Sequence, residues 1–314
     1  MKNSPAISVI MPCYNEAERI SSAVQSVFEQ TFQDIELIVV DDGSKDDSLQ
    51  VLDHLASQYP GLQYFSQENR GAGPARNHGL RKATGEYIAF LDADDSWHPG
   101  CLEMLYTTLS RNPDAALTYC GWQNLGVAEN RGKPFIPPDY ESPDKIEIML
   151  RGCRWPIHAA LTRKAAIDAI GGFDEQWSSS MDYNLWLHIA SFHKIVLTPE
   201  VLAYYHHHEG EQITKNRLRI AINHTRIQQH FLDTHPEVVQ QLGKTRVRQI
   251  LMDELLHRAY TSYWDRDLEA AHVLFRKVLG SRLFRIKDLK YALPALLPLS
   301  LYRQLVRGLE RQTS

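Results

Sequence analysis

Short apolar runs alternate with amphipathic stretches through the first 125 residues, and this alternation restricts the fold more than any other feature. Apolar, β-branched runs separated by helical stretches are typical of βαβ units, in which consecutive strands are parallel. The pattern therefore predicts an α/β domain with a doubly wound, mostly parallel sheet flanked by helices. The predicted strands are 7–11, 35–41, 62–66, 87–91 and 115–122, and the predicted helices are 18–30, 47–58, 74–83 and 99–111.

The remainder of the chain changes character twice. Residues 126–143 are rich in Gly, Pro and charged residues, which predicts a surface loop. Order then resumes, and beyond Thr214 the apolar spacing is helical almost throughout. We therefore expect an α/β domain at 1–215 and a helical C-terminal region at 216–314. The later predicted elements are helices at 163–170, 182–192, 216–231, 237–264 and 268–279 and strands at 195–197 and 201–207.

Composition narrows the class of protein. The formal net charge of -4 gives no global electrostatic reason for nucleic acid binding, so we expect no nucleic acid partner. The four cysteines are scattered without the close pairs of a zinc or disulfide framework. No leader peptide or membrane-spanning apolar stretch is recognisable. These features predict a cytoplasmic protein.

Polar clusters follow each of the first four predicted strands. Ligands of open α/β sheets bind beyond the carboxyl ends of the strands, because loops and helix N-termini converge there. One such cluster is an ordinary turn signal, whereas four in succession indicate a binding site. The clusters are Pro12-Cys-Tyr-Asn-Glu16, Asp41-Asp-Gly-Ser44, Asn69-Arg-Gly71 with Arg76-Asn77, and Asp92-Ala-Asp-Asp95.

The fourth cluster has the most specific chemistry. Its carboxylates directly follow a buried-looking strand, where they would repel one another unless a cation neutralised them. In extended backbone, Asp92 and Asp94 would point to the same side. Carboxylate ligands suit Mg²⁺ or Mn²⁺, which complete their coordination with substrate phosphates. The alternative is an Asp-rich helix cap.

The other clusters are compatible with a nucleotide. Asp41 can accept hydrogen bonds from a nucleobase or ribose, Tyr14 offers a stacking face, and Glu16 can accept from sugar hydroxyls. Ser44 can cap the helix that follows it. The arginines of the third cluster suit a base carbonyl or a phosphate, with a surface ion pair as the alternative. Its Gly-x-Gly follows the third strand rather than the first, so it is not a dinucleotide fingerprint.

Together these motifs resemble those of glycosyltransferase family 2, whose members have the GT-A fold. The resemblance extends over about the first 210 residues, in the order and spacing of the family, and leaves the helical tail outside. The matching motifs are Val9-Ile-Met-Pro-Cys-Tyr-Asn-Glu16, Val39-Val-Asp-Asp-Gly-Ser44, Asn69-Arg-Gly71, Ala75-Arg-Asn77, Phe90-Leu-Asp-Ala-Asp-Asp95, Gly171-Gly-Phe-Asp-Glu175 and Met181-Asp-Tyr-Asn-Leu-Trp-Leu187.

The resemblance implies roles for residues at these motifs. Asp182 is implied as the general base, and Asp94 as a ligand of Mn²⁺ or Mg²⁺ within an Asp-x-Asp element, with His208 reaching the metal or the diphosphate. The residues implied around the nucleotide sugar are Pro12, Tyr14, Glu16, Asp41, Arg70, Arg76 and Asp92. The residues implied on the acceptor side are Gly172, Phe173, Asp174 and Trp186.

Two positions depart from the family pattern. Met181 stands where the family usually has Glu before the catalytic Asp, and His206 stands where it often has Arg. The alternative for the triple histidine is an independent zinc site, because His206 and His208 would share one face of a strand. The alternative for Asp182 is a helix N-cap, which is compatible with catalysis.

We expect an inverting, metal-dependent glycosyltransferase that moves a sugar from a nucleotide diphosphate donor, with uridine favoured, to a hydroxyl. The acceptor would be a saccharide or a lipid-linked molecule in polysaccharide or glycolipid synthesis. The alternative is a nucleotide-sugar-binding or carbohydrate-binding protein that has lost turnover. The tail from Leu289 to Leu309 mixes apolar and basic residues, so it is either a packed helix or a peripheral contact with the inner face of the cell membrane.

Overall fold

The computed structural model describes residues 4–126, 132–209, 215–281 and 286–310, with the side chains of 307–310 left out. The chain divides into two compact units. The first comprises Met1–Lys145 and Cys153–Gly210, and the second Ile146–Gly152 and Glu211–Ser314. The predicted boundary at residue 215 adjoins residues 210–214, which lie outside the described residues, and it stays a prediction.

One mixed sheet forms the core of the first unit. Its order is β3-β2-β1-β4-β7-β6-β8-β5. The four strands β3, β2, β1 and β4 are mutually parallel, as predicted, whereas β7 is antiparallel to both β4 and β6. The pair β6 and β8 is parallel, and β5 is antiparallel to β8. The strands are β1 Ile7–Cys13, β2 Ile35–Asp41, β3 Leu62–Ser66, β4 Tyr87–Phe90, β5 Ser96–Trp97, β6 Ala115–Leu125, β7 Ala160–Arg163 and β8 Lys194–His206.

Amphipathic helices connect these strands. In the first helix, Ile20, Ala23, Val24 and Val27 are buried, a spacing of three and four residues that places them on one face. The central strands are buried on both sides, which agrees with their continuous apolar sequence. The helices are α1 Ile20–Phe28, α2 Ser48–Gln58, α3 Ala72–Lys82, α4 Cys101–Ser110, α5 Lys145–Leu150, α6 Lys164–Ala169 and α7 Met181–Phe192.

Several elements differ from the sequence prediction. Strand β7 was not predicted, because four residues are too few to show a period. The predicted pair at 195–197 and 201–207 is the single strand β8, which pairs with β6 through irregular register near Gly121. Part of the predicted loop at 126–143 lies outside the described residues. An α/β fold with a C-terminal helical region is nevertheless confirmed.

The second unit is helical. Gly243, at φ +81°, separates two helices where one was predicted at 237–264. The short segment 146–152 belongs to this unit, since Leu150 accepts a 2.6 Å hydrogen bond from Gln228 and Glu147 pairs with Arg246. No helix in the described ranges is long and apolar enough to cross a membrane. The helices are α8 Arg217–Thr234, α9 Pro236–Leu242, α10 Lys244–Trp264, α11 Leu268–Ser281, α12 Leu289–Ala292 and α13 Leu299–Glu310.

Candidate active site

The carboxyl ends of β1, β2 and β4 bring the polar clusters together. In the parallel register Cys13 is opposite Asp41, and Ile10 is opposite Phe90. The amide of Asp42 donates a 2.8 Å hydrogen bond to the carbonyl of Cys13, which links the loops that follow β1 and β2. Three clusters that are 25 to 80 residues apart in sequence therefore share one edge of the sheet.

The residues predicted around the nucleoside lie at this edge. Pro12 is in β1, and Tyr14 follows it with 36% of its surface exposed, so its ring is available to a ligand. Asp41 is fully buried at the end of β2. Its carboxylate accepts hydrogen bonds from the hydroxyl of Ser66 at 3.0 Å and from the amide of Ser44 at 3.3 Å. These bonds orient the carboxylate and leave lone pairs for a further donor.

Asp42 shapes the adjoining loop and was not assigned a role from the sequence. Its carboxylate accepts from the amides of Arg70 at 2.9 Å and Gly71 at 2.6 Å. The next residue, Gly43, has φ +75°, and a Cβ there would lie 2.9 Å from the amide nitrogen of Asn69. The Asp-Asp-Gly turn is thus a structural requirement of the site as well as a binding motif.

The third cluster joins the turn predicted on the acceptor side. Asn77 accepts from the amide of Phe173 and donates to its carbonyl, both at 2.8 Å. Gly172 is at φ +82°, and a Cβ on it would lie 2.7 Å from the Asn77 amide oxygen. The exposed guanidinium of Arg70 pairs with Glu175 at 2.7 Å. Arg70 is therefore engaged with the acceptor-side turn rather than aimed only at a nucleotide.

Asp92 and Asp94 have different partners. Strand β4 ends at Phe90, and the amide of Asp95 donates a 3.0 Å hydrogen bond to the carbonyl of Asp92, which closes a turn. The extended backbone on which the same-side expectation depends therefore ends before Asp92, and the common direction of the two carboxylates stays a prediction. Asp92 pairs with Arg76, whose side chain is only 6% exposed and lies 5.5 Å from the ring of Phe173. In this pair, the guanidinium of Arg76 neutralises the negative charge of Asp92.

The second aspartate lies in a cluster of possible metal ligands. Asp94, Glu16 and His208 each present a ligand atom, and these atoms lie within 4.8 Å of one another. Asp94 is 3.0 Å from the Nε2 of His208. Burial, followed by the charges of Asp95 and Asp92, raises the pKa of Asp94, and burial also raises the pKa of Glu16.

This donor set fits a divalent cation. Two carboxylates and one imidazole suit Mn²⁺ or Mg²⁺, which commonly complete their coordination with waters and substrate phosphates. A cation would also relieve the repulsion between the partly buried carboxylates. The sequence predicted Glu16 beside the donor sugar. In the structure, its carboxylate lies near Asp94 and His208.

Asp182 lies in the first turn of α7, which begins at Met181 after Ser180 in the left-handed region at φ 58°. One carboxylate oxygen accepts a 2.8 Å hydrogen bond from the amide of Tyr183, and the other lies 3.6 Å from the thiol of Cys153. Burial raises the pKa of Asp182, while the nearby Arg76 opposes that rise. One backbone amide and one thiol, both uncharged donors, thus hold the carboxylate in place.

The segment that carries this site matches a known protein family. The model described as "Glycosyl transferase family 2" matches residues 8–168, just over half of the 314 residues. The chain belongs to glycosyltransferase family 2. A Rickettsia typhi glycosyltransferase is 30% identical to this family 2 chain over 305 residues, which cover 92% of each protein.

Solved structures share the fold of this glycosyltransferase. S. aureus TarS 1-349 in complex with UDP-GlcNAc is similar with a TM-score of 0.66 and 20% identity, over 98% of this chain and 92% of that chain. The Pyrobaculum calidifontis mannosyltransferase PcManGT in complex with GDP-Man and Mn²⁺ is similar with a TM-score of 0.56 and 21% identity, over 98% and 84%. The GT-A architecture expected from the sequence is confirmed.

The residues predicted on the acceptor side divide into two groups. Phe173 is 3% exposed and Trp186 is fully buried, its ring 5.9 Å from that of Trp155. We therefore assign these two side chains to packing beneath the site and not to direct contact with an acceptor. Asp174 lies at the turn, where it accepts from the amide of Gln176 at 3.1 Å. Gly172 contributes backbone at the same turn.

The two departures from the family pattern have structural partners of their own. Met181 is 6% exposed and lies 3.5 Å from the position that a Cβ on Gly73 would take, so it fills apolar space in place of a carboxylate. His206 bonds to the hydroxyl of Ser96 at 2.8 Å. Within the described ranges, the one cluster with metal-binding geometry contains His208 without His206.

A buried pair behind the metal-binding cluster was missed from the sequence. Asp95 and His158 are 3.0 Å apart, and each side chain is 1% exposed. Burial disfavours the charged imidazole, but Asp95 outweighs it and the pKa of His158 is raised. Asp95 also accepts a 2.9 Å hydrogen bond from the amide of His206. The pair thereby fastens the turn of Asp94 to the end of β8, two residues before His208.

Proposed function

We propose that this protein is an inverting glycosyltransferase that uses a divalent cation and a nucleotide diphosphate sugar to glycosylate a hydroxyl group. The observation that carries the proposal is that one site combines a cluster of groups suited to a cation with a separate, half-buried carboxylate. The cluster is Glu16, Asp94 and His208, and the carboxylate is Asp182. The Arg76–Asp92 pair interacts electrostatically with Asp182, and Asp92 with Asp94, so it joins the two parts.

The donor is proposed to bind across the carboxyl edge of the sheet. Tyr14 and Asp41 would hold the nucleoside, and Glu16, Asp94 and His208 would hold the cation together with the diphosphate. The cation, when bound, would neutralise negative charge that develops on the departing diphosphate. Arg76 is set back with Asp92, so its role is to fix that carboxylate and add positive potential.

Asp182 is proposed to accept the proton of the acceptor hydroxyl. The hydroxyl oxygen then forms a bond to the anomeric carbon as the bond to the diphosphate breaks, and the proton stays on the carboxylate. Attack from the face opposite the leaving group inverts the anomeric configuration. The hydrogen bond from the amide of Tyr183 orients the carboxylate without pairing it with a positive charge.

The choice of donor and acceptor is supported by chemistry and by similar proteins. TarS was solved with UDP-GlcNAc and PcManGT with GDP-Man and Mn²⁺. We favour a uridine diphosphate sugar as donor and a saccharide or lipid-linked acceptor, in polysaccharide or glycolipid synthesis. Four free cysteines agree with the reducing cytoplasm, where we propose that the reaction takes place.

A donor screen tests this proposal directly. Thermal unfolding would be followed with each nucleotide sugar, with and without Mn²⁺, since ligand at about 100 times its Kd stabilises a protein by about 2.7 kcal/mol. We expect one donor to raise the unfolding temperature only with the cation, and the Asp94→Asn variant to lose that effect. The control is Asp168→Asn, which removes an exposed carboxylate paired with Lys164 outside the site.

The reaction products decide between transfer and mere binding. Release of nucleoside diphosphate and a glycosylated acceptor would support the proposal. Cation-dependent stabilisation without any product, across a set of saccharide and lipid-linked acceptors, would favour a nucleotide-sugar-binding protein instead. Stabilisation that is equal in wild type and Asp94→Asn would overturn the cation site.

A further inference from the structure

Exposed apolar side chains are concentrated near the C-terminus. Eleven large hydrophobic residues are exposed in the described part of the chain, and six of them fall within residues 286–305. A soluble surface normally scatters such residues singly, whereas a contiguous group marks an interaction site. The six are Ile286, Leu293, Leu296, Leu297, Leu301 and Leu305, which we call the tail surface.

Part of the tail surface lies on a different face of α13 from the residues that pack into the helical core. Tyr302 is fully buried and Val306 is 2% exposed, so these residues attach α13 to the helical core. Leu301 and Leu305 are 48% and 41% exposed, and their four-residue spacing places both on one other face of α13. The leucines of the tail surface are therefore not needed to hold the helix in place.

The exposed charges within residues 286–306 are positive, although one of them, Arg303, pairs with Glu269 at 3.2 Å. Lys287 and Lys290 are exposed, and the ammonium of Lys290 lies 5.5 Å from the ring of Tyr291. The single acidic residue among residues 286–306, Asp288, is buried and accepts a 2.8 Å hydrogen bond from Tyr260. The full chain carries a net charge of -4, so the sign of the charge near the tail surface is opposite to that of the whole chain.

We propose that the tail surface binds the headgroup region of an anionic lipid bilayer. Leucines beside lysines suit such a surface, because the apolar side chains enter the acyl boundary while the ammonium groups remain with the anionic headgroups. A second copy of the chain would bring its own lysines against these, which disfavours self-association through the same face. This inference rests on the proposed function in one respect. Bilayer binding would bring the enzyme to a lipid-linked acceptor.

Vesicle flotation of the full chain tests the proposal without any sugar donor. We expect the protein to float with vesicles rich in phosphatidylglycerol and to stay unbound with pure phosphatidylcholine. Each exposed lysine contributes about fivefold to binding at low salt, so Lys287→Gln with Lys290→Gln should weaken it about 25-fold. Leu301→Gln with Leu305→Gln should weaken it by at least about tenfold.

A control variant and a second measurement distinguish a loss of vesicle binding from a loss of folding. Ile136→Gln, which removes an apolar side chain of similar exposure at 47% elsewhere, should bind vesicles as the wild type does. Circular dichroism should show unchanged helix content in the leucine variant, since neither leucine is buried. Equal flotation of wild type and both tail variants would overturn the proposal.

Self-association is the competing outcome. Light scattering would show a dimer that the leucine variant dissociates, and with no vesicle binding this result would also overturn the bilayer proposal. The proposed function is tested separately, because donor binding and nucleoside diphosphate release are measured in solution without lipid. A protein that floats but releases no diphosphate would refute the function and leave the tail surface intact.

Discussion

Replacing Asp182 with Asn separates chemistry from structure more cleanly than any other change at this site. Asparagine keeps the size of the side chain and an oxygen that accepts from the amide of Tyr183, now 2.8 Å from the carboxylate. It has no basic oxygen to accept a proton from an acceptor hydroxyl. The position of the side chain should therefore survive while proton transfer is lost.

The expected loss is large in rate and small in stability. A positioned general base contributes about 10²- to 10⁴-fold, so kcat should fall within that range. The unfolding free energy at neutral pH should not fall by more than about 1 kcal/mol, because the Tyr183 hydrogen bond is retained. It could rise, since burial of Asp182 disfavours the ionised form that the substitution removes.

The pH profile provides a second readout. Burial raises the pKa of Asp182 from its ordinary value of 3.8, so the proton-accepting carboxylate is lost at a higher pH than in an exposed aspartate. As the pH falls through that raised pKa, kcat of the wild type should fall, and above it kcat should be constant. The residual activity of Asp182→Asn should lack this acidic decline.

The assay is the release of nucleoside diphosphate with donor and acceptor at saturation, together with calorimetric binding of the donor. Donor affinity should be unchanged, since Asp182 is assigned to the acceptor. Glu237→Gln is the matched control, because it also removes a carboxylate in the first turn of a helix and is exposed in the helical unit. A variant that retains wild-type kcat and the acidic decline would refute Asp182 as the base.

Two further changes test the groups around Asp182 and the acceptor-side turn. Cys153→Ala removes a thiol that stabilises the Asp182 carboxylate at 3.6 Å, so the acidic decline of kcat should move to higher pH with little change at alkaline pH; an unmoved profile would contradict that contact. Gly172→Ala introduces a Cβ 2.7 Å from the Asn77 amide oxygen at a left-handed φ, so chemical denaturation should show a loss of about 1–3 kcal/mol. Unchanged stability would mean that the turn relaxes freely.

The candidate residues came from two sources in the sequence. Asp94 was singled out because carboxylates directly follow a buried strand, whereas the role of Asp182 was implied by the family resemblance, and both roles stay predictions. The groups that tune these residues were not predictable in the same way. Cys153 approaches Asp182 from 29 residues away, and His158 pairs with Asp95 across 63 positions.

The backbone at Asp92 and Asp94 is not the extended strand that the sequence argument assumed. Alternation of side chains holds only while the backbone is extended, and β4 ends at Phe90, before the first aspartate. The turn from Asp92 to Asp95 then directs the first carboxylate to Arg76 and the second toward Glu16 and His208. Where the strand stops depends on its neighbours in the sheet, which a single segment does not reveal.

The sequence by itself determined the βαβ succession, the family motifs and the helical nature of the tail, because each depends on periods and spacings within short windows. Only the tertiary structure decided that β7 enters the sheet antiparallel between β4 and β6, and that segment 146–152 joins the helical unit. It also decided which leucines near the C-terminus face solvent. These features arise from contacts between distant segments, whose free energy depends on partners that no local pattern encodes.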